Sequence, residues 1–388
     1  MDASARADFG VARVASAIAA FAAFATFAVI EREFASAGVS ARAGADRDGE
    51  FMDVAGVGVH YKRARFDGRA RRVAACAHGF GANVSSWCAH GVLKKLSEAL
   101  EADCAAHDAC GFGFTERAKD VGKYGRASDA RVMRTIADAL KKDLKVSSSA
   151  IETVLVGHSL GAIGAALACA KGGVDRVVLV APAIVAGKAK TKTGRLPKPM
   201  RVAFAAIAAA GTCAAWCLTY IMKPFIVFIL RALVRRKQFW INSLSAAVHK
   251  SRAASMLANP DWIEGYRRPS IVRNWEDGMF NVVLASVAAV NSPTQIFSRA
   301  LSKALRDDVG AADDDDDDDD DAITALVNSG VRVLIVHGEN DVIVPASNSK
   351  KLAERIPNAQ LVIMPNCGHM PHEEYPDEFV QIVKTFCT

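Results

Sequence analysis

The 388-residue sequence predicts an α/β fold: a mostly parallel central sheet, helices on both faces and an inserted helical cap. Three observations predict it. Short apolar runs alternate with stretches of helical spacing, the rhythm of parallel strands joined by crossover helices. The runs are apolar throughout, as expected of strands covered on both faces. The rhythm also stops near residue 184 and resumes near 322, which places a long insertion between two strands. With 51% hydrophobic residues the chain can bury a large core, and its length suits one main domain plus an insertion.

Residues 1–50 differ from the rest. The stretch 14–30 is an uncharged run rich in Ala and Phe, preceded by Arg6 and Arg13 and followed by Glu31, Arg32 and Glu33. It lies near the lower length limit for a membrane helix, about 17 residues. It is read as a membrane anchor, or alternatively as a cleaved targeting segment for an organelle such as the chloroplast. Residues 34–50 read as a flexible linker.

The first half of the core is placed at 51–183. Residues 51–65, with Val54, Val57, Val59 and Tyr61 around Gly56 and Gly58, suit a hairpin. A strand at 73–77 ends in His78-Gly79-Phe80-Gly81, and a helix follows at 87–100. A weak strand at 104–107 ends at Asp108, a helix covers 129–144, and a β-branched strand at 153–156 runs into Gly157-His158-Ser159. A small-residue helix at 160–170 and a strand at 177–180 complete this half. Residues 184–310 are read as the helical cap, and 311–321, with its nine consecutive aspartates, as a disordered loop, because like charges repel and carry no apolar area. The second half, 322–388, resumes with a helix at 322–328, a strand at 331–336, a helix at 347–356, a strand at 361–364 and a helix at 373–386.

The formal charge of +6 hides an asymmetry: without the aspartate run it is +15. A basic remainder favours anionic surfaces, either nucleic acid or lipid headgroups. No nucleic-acid motif is present, so no nucleic-acid partner is expected. The charge-free stretch 202–222 points to lipid. Nine cysteines are scattered without a Cys-x-x-Cys pair, several of them in apolar runs (Cys76, Cys169, Cys213, Cys217). They read as buried reduced thiols, with no zinc or redox motif, and neither metal nor cofactor is expected.

The central motif is Gly157-His158-Ser159-Leu160-Gly161, a G-x-S-x-G placed after a strand and before a helix. A sharp strand-to-helix turn folds the chain closely on itself, and only very small residues fit two positions either side of the serine. The following helix directs its free N–H groups and dipole at the serine oxygen. Ser159 is therefore the candidate nucleophile. A serine hydroxyl needs a base to accept its proton, and behind such an elbow the acid and then the histidine follow in the chain. Asp341 lies in the loop after the 331–336 strand, and His369 follows the 361–364 strand, so all three lie at carboxyl ends of parallel strands. Glu339, nearer its strand, is the alternative acid. His158 and His337 read as supporting residues and His372 as a capping or surface histidine. For the oxyanion, the N–H of Leu160 and the N–H of Phe80, in the loop after the first parallel-type strand, are the expected donors. His78 is expected to brace that loop.

These segments carry a resemblance. HGFGANVSSW at 78–87, HDACGFGFTER at 107–117, VGHSLGA at 156–162, VHGENDVIVP at 336–345 and GHMPHEEYPDEF at 368–379 frame about half the chain. The sequence resembles the α/β-hydrolase superfamily, especially the branch of epoxide hydrolases, haloalkane dehalogenases and plant or algal cap-bearing hydrolases. The resemblance implies the α/β-hydrolase fold and a Ser-Asp-His triad. Two departures matter. Epoxide hydrolases and dehalogenases carry aspartate at the nucleophile position, and this chain carries Ser159, which implies ester, thioester or amide chemistry. Cys110 stands where relatives often have proline. The pattern His372-x-x-x-x-Asp377 also matches one found in some acyltransferases of the superfamily.

The expected activity is hydrolysis of an ester-type substrate, apolar and of lipid character, through an acyl-enzyme. The alternatives are a small-molecule receptor or an acyltransferase on the same fold. A membrane is the expected partner. The 202–222 segment is long enough to span a bilayer, but one crossing would put Ser159 and His369 on opposite sides. The segment is therefore expected at the membrane interface, beneath basic flanks at 188–201 and 235–237.

Overall fold

A computed structural model describes residues 38–144, 150–185, 198–288, 290, 292–305, 318–357 and 359–388. The apolar run at 14–30, the basic flank at 188–197 and Asp313 to Asp317 lie outside the described residues.

A short helix α1 (Ala41–Gly44) leads into the hairpin β1 (Glu50–Val54) and β2 (Val57–Ala64), then β3 (Arg72–Ala77), α2 (Ser85–Cys88), α3 (Val92–Leu100) and β4 (Ala102–His107). Next come α4 (Arg126–Asp143), β5 (Glu152–His158), α5 (Gly161–Ala168) and β6 (Arg176–Val180). The insertion contributes α6 (Lys198–Ile221), α7 (Lys223–Val234), α8 (Lys237–Ala247), α9 (Lys250–Leu257), α10 (Pro260–Arg267), α11 (Trp275–Val287) and α12 (Pro293–Leu305). The core resumes with α13 (Asp318–Ser329), β7 (Arg332–Gly338), α14 (Ala346–Arg355), β8 (Gln360–Met364), α15 (Pro371–Glu374) and α16 (Pro376–Cys387).

The strands form one eight-stranded sheet in the order β1-β2-β4-β3-β5-β6-β7-β8. β1–β2 and β2–β4 pair antiparallel, and every other neighbouring pair is parallel. The pleat sends alternate residues to opposite faces. Val73, Leu155, Val177, Leu179 and Ile335 pack with α4, α5 and α13. Ala74, Val154, Val156, Val178, Val180 and Leu334 face α3 and α16. This two-sided burial is why the strands read as unbroken apolar runs.

Several expectations need correction. Residues 38–49 are not a flexible linker. Val39 pairs with the cap, accepting from Arg273 N–H at 2.9 Å and donating to Ile271 O at 3.2 Å. Ser40 caps α1, Ala41 packs into the cap cluster, and Asp46 pairs with Lys62 at 2.6 Å and with Arg268. The aspartate run is not wholly a loop either, since Asp318 to Asp321 form the first turn of α13. Acidic residues there oppose the positive end of the helix dipole. The helix expected at 87–100 is two, broken at Gly91, whose φ of 68° is left-handed. The one expected at 373–386 is likewise broken where Pro376 excludes helical backbone from Tyr375, which sits at φ −135°.

Candidate active site

Ser159 sits at the end of β5 with φ 51°, left-handed backbone that costs a non-glycine residue about 1–3 kcal/mol. The surroundings over-determine it. Ser159 N–H donates to Val180 O at 2.8 Å, and its carbonyl accepts from Ala183 N at 3.1 Å and Ala162 N at 3.2 Å. A Cβ on Gly157 would lie 2.5 Å from Gly161 O, and one on Gly161 would lie 2.6 Å from His78 O. Those are backbone atoms that cannot swing aside, so the turn requires glycine at both positions.

The sheet brings Ser159, His369 and Asp341 together, all buried. Ser159 Oγ is 3.0 Å from His369 Nε2, and His369 Nδ1 is 2.6 Å from Asp341 Oδ2. With Asp341 ionised, Nδ1 carries the hydrogen and donates, which leaves the Nε2 lone pair facing the hydroxyl. Asp341 Oδ1 accepts from Ile343 N at 2.8 Å and Val344 N at 2.9 Å, and its Oδ2 lies 3.1 Å from His337 Nε2. Burial alone would raise this carboxyl. The hydrogen bonds from His337 and His369, the His369 charge and the Val344 N–H outweigh it and hold Asp341 well below the usual carboxylate range. Glu339, the alternative acid, is exposed.

His78 braces the loop above the serine. Ala109 N donates to His78 Nε2 at 3.0 Å, so Nδ1 carries the hydrogen and donates to Gly79 O at 2.7 Å. Burial lowers its pKa and keeps it neutral. The loop passes close to the elbow, because a Cβ on Gly79 would lie 3.0 Å from Ser159 Cβ. Among the described residues, neither Phe80 N–H nor Leu160 N–H meets an acceptor. Two unpaired donors beside a serine are what an oxyanion needs. Asp108 ties the surrounding loops together, accepting from Val84 N and Phe114 N at 2.7 Å and pairing with His60 Nδ1 at 2.7 Å. Burial opposes its ionisation, but the pull of His60 and His78 and these hydrogen bonds bring it down to about 2.

His158 and His337 have supporting roles. His158 Nε2–H donates to His369 O at 2.9 Å, and burial drives its pKa down to about 3. His337 donates from Nε2 to Val344 O at 2.8 Å and accepts the Ser349 hydroxyl at Nδ1, 2.6 Å away. His372 is corrected from a capping or surface residue: it is fully buried, 2.8 Å from Ser86 Oγ and stacked near Trp87. Asp377 instead pairs with Lys95 at 2.6 Å at the surface, so the H-x-x-x-x-D pattern does not bring its two ends together.

Two residues escaped the sequence reading. The buried Glu374 carboxylate accepts from Gly368 N (2.9 and 3.0 Å), Met370 N (3.2 Å) and His249 N (2.8 Å). It thus grips the backbone on both sides of His369 and one point of the cap, while His369 N–H donates to Ala247 O at 2.7 Å. Glu373 accepts from Trp262 Nε1 and Tyr266 Oη of the cap, each at 2.6 Å, and from Ser86 Oγ at 2.8 Å. Its burial pushes its pKa up to about 7. The only sequence signal was an acidic pair two residues before a proline.

Between core and cap, a narrow cleft is lined by Gly81, Phe112, Arg117, Val234, Trp240 and Trp275. The Arg117 guanidinium is committed to the carbonyls of Phe112, Gly113 and Thr115, so the remaining lining is largely apolar. Among the described residues no group of three His, Cys, Asp or Glu side chains is placed to hold a metal ion.

The profile of the alpha/beta hydrolase family matches residues 75–382. A pimeloyl-[acyl-carrier protein] methyl ester esterase of Nitrosomonas europaea is 46% identical over 48 residues, 12% of this chain and 19% of that protein. A 2-hydroxymuconate semialdehyde hydrolase of Pseudomonas putida is 41% identical over 64 residues, 16% of this chain and 22% of that protein. The matches thus span about a fifth of the length of these relatives. The crystal structure of an enol-lactonase from Burkholderia xenovorans superposes with a TM-score of 0.54 at 16% identity, covering 87% of this chain and 99% of that one. That likeness shows the fold.

Proposed function

This chain belongs to the alpha/beta hydrolase family, and from that premise we propose that it hydrolyses ester-type bonds of an apolar substrate through an acyl-enzyme on Ser159. The observation that carries the reading is the relay of 3.0 Å and 2.6 Å from Ser159 Oγ through His369 to Asp341, mounted on a strained serine. Short matches to an esterase and a hydrolase support the reaction class.

The chemistry follows from the geometry. His369 Nε2 takes the Ser159 proton as Oγ attacks the carbonyl carbon, and Asp341 stabilises the resulting imidazolium through Nδ1–H. The carbonyl oxygen becomes an oxyanion and accepts from the N–H groups of Phe80 and Leu160. When the tetrahedral species collapses, His369 returns the proton to the leaving alkoxide, which departs as the alcohol. Water then repeats the sequence: His369 removes its proton, the hydroxyl attacks the acyl carbon, and Ser159 is released with its hydrogen restored. The narrow apolar cleft lined by Phe112, Val234, Trp240 and Trp275 supports an apolar acyl group, which would have to widen it on binding.

The test is a burst experiment with p-nitrophenyl esters of graded chain length. A burst approaching one equivalent of p-nitrophenol is expected, and Ser159→Ala should lower turnover by at least about 10³-fold, as for other triad knockouts. Undiminished turnover by folded Ser159→Ala protein would refute the mechanism. Binding of apolar ligands with negligible turnover would favour a receptor, and acyl transfer to an added alcohol in preference to water would favour a transferase.

A further inference from the structure

The cap carries an apolar surface that packing leaves uncovered. Helix α6 is apolar along most of its length, yet only 11% of its most apolar window is buried. A narrow stripe, Ala209 and Trp216 on α6 with Val227 and Val234 on α7, faces the remainder of the cap. The opposite side exposes Phe204, Ile207, Leu218 and Ile221 on α6, and Phe225 and Phe228 on α7, each more than half accessible. Their spacings of 3 and 11 residues within α6 and 3 within α7 put them on one side of each helix. Water-exposed patches of this kind mark interaction sites.

Charge identifies the occupant. Between Asp175 and Asp261 the sequence contains no acidic residue. Arg235, Arg236 and Lys237 are exposed where α7 ends, and Lys198 and Arg201 lie in the first turn of α6. Lys223 and Arg231 are neutralised by Asp277 and Glu276 of α11, which leaves the exposed Arg235, Arg236 and Lys237 as the cationic end of the apolar arc, with Lys198 and Arg201 at its other end in the sequence. An apolar centre with a cationic fringe matches acyl chains beneath anionic headgroups. Two other occupants match less well. The apolar run at 14–30 is flanked by charges of both signs, Asp2 and Asp8 with Arg6 and Arg13 before it and Glu31 and Glu33 with Arg32 after it, a near-neutral mixture that complements a cationic fringe less well than an anionic bilayer does. A second copy would bring the same cations and repel.

The helices cannot satisfy this face by spanning. Ser159 precedes α6 and His369 follows it, and the two meet at 3.0 Å. A single crossing would separate them. The packed stripe also binds α6 to Phe280, Leu284 and Ile296 of α11 and α12, which would have to be stripped away.

We infer that the exposed apolar arc of α6 and α7 docks on an anionic lipid bilayer, with both helices lying in the plane of its surface. Val234, on the packed stripe of α7, lines the cleft between core and cap, so the docking helix also walls that cleft. The docking itself is independent of whether Ser159 turns over esters.

The test uses the full chain with p-benzoylphenylalanine at position 207 or 225, and at 327 on α13 as control. Each protein is illuminated with vesicles of phosphatidylcholine with or without phosphatidylglycerol. The expected result is cross-linking to lipid at 207 and 225 at least about tenfold above 327, dependent on phosphatidylglycerol and weakened by salt. Cross-links to residues 1–37 or to a second copy in place of lipid would overturn the inference. So would equal lipid cross-linking at 327, no dependence on phosphatidylglycerol, or no cross-link at all. Full hydrolysis of a water-soluble ester by an Ile207→Asp, Phe225→Asp variant that has lost vesicle binding would show that the face serves docking and not folding; vesicle binding retained by that variant would count against it.

Discussion

Glu374→Gln offers a sensitive probe of how His369 is held. The carboxylate receives three different N–H groups, from Gly368, Met370 and His249, with no access to solvent. A glutamine of the same shape keeps one acceptor. With its oxygen toward Gly368 and Met370, its NH2 group faces the His249 N–H, and two donors meet. A hydrogen bond to a charged group contributes about 1.5–3 kcal/mol, and an orphaned buried N–H costs about 1–3 kcal/mol. A stability loss of about 2–4 kcal/mol is expected, within reach of urea titration. The functional effect should be larger in proportion, because the Gly368 and Met370 N–H groups on either side of His369 lose a charged acceptor while the His249 end is pushed away. A displacement of about 1 Å at such a group can lower the rate about 10²-fold. The expected outcome is a kcat for p-nitrophenyl butyrate down about 10²-fold with KM little changed, and a matching fall in the rate of fluorophosphonate labelling. A folded Glu374→Gln enzyme within about twofold of the parent in both assays would refute the positioning role.

Three further outcomes follow from the same contacts. Asp341→Asn should leave the fold intact but lower kcat about 10³-fold or more, because an amide no longer fixes the His369 tautomer; ordinary turnover would point to another acid. Gly161→Ala should destabilise by about 1–3 kcal/mol, since its Cβ would sit 2.6 Å from His78 O, and an unchanged melting temperature would contradict the close approach. For Glu373, the folded pKa of about 7 exceeds the ordinary 4.5, so the fold favours the protonated form. That contribution is complete below pH 4.5 and is lost as pH rises through 7, a fall of about 3 kcal/mol at most. Glu373→Gln should flatten stability between pH 5 and 8, measured by urea midpoints; an undiminished slope would assign it to other groups.

Most of the sheet and the Ser159, His369 and Asp341 arrangement were legible in sequence because each rests on a local signal. Strands buried on both faces read as apolar runs, and the elbow announces itself through two glycines that backbone approach makes obligatory. What escaped depends on partners distant in the chain. Residues 38–49 look like a linker by composition, yet their order comes from Ile271, Arg273 and Arg268 in the cap. The burial of His372 and the grip of Glu374 depend on a break at Tyr375-Pro376 that turns both side chains inward. Helical spacing carried on through Gly91 and Pro376, and in each case backbone conformation overruled it.

The central claim is that Ser159 is a nucleophile made reactive by the fold. Its most direct measurement is peptide mass spectrometry after reaction with a fluorophosphonate, on native and urea-unfolded protein side by side. One phosphonyl group per native chain is expected, carried by the peptide containing Ser159, and none on the unfolded chain or on Ser159→Ala. Native protein that stays unlabelled, or that carries the adduct on another residue, would contradict it.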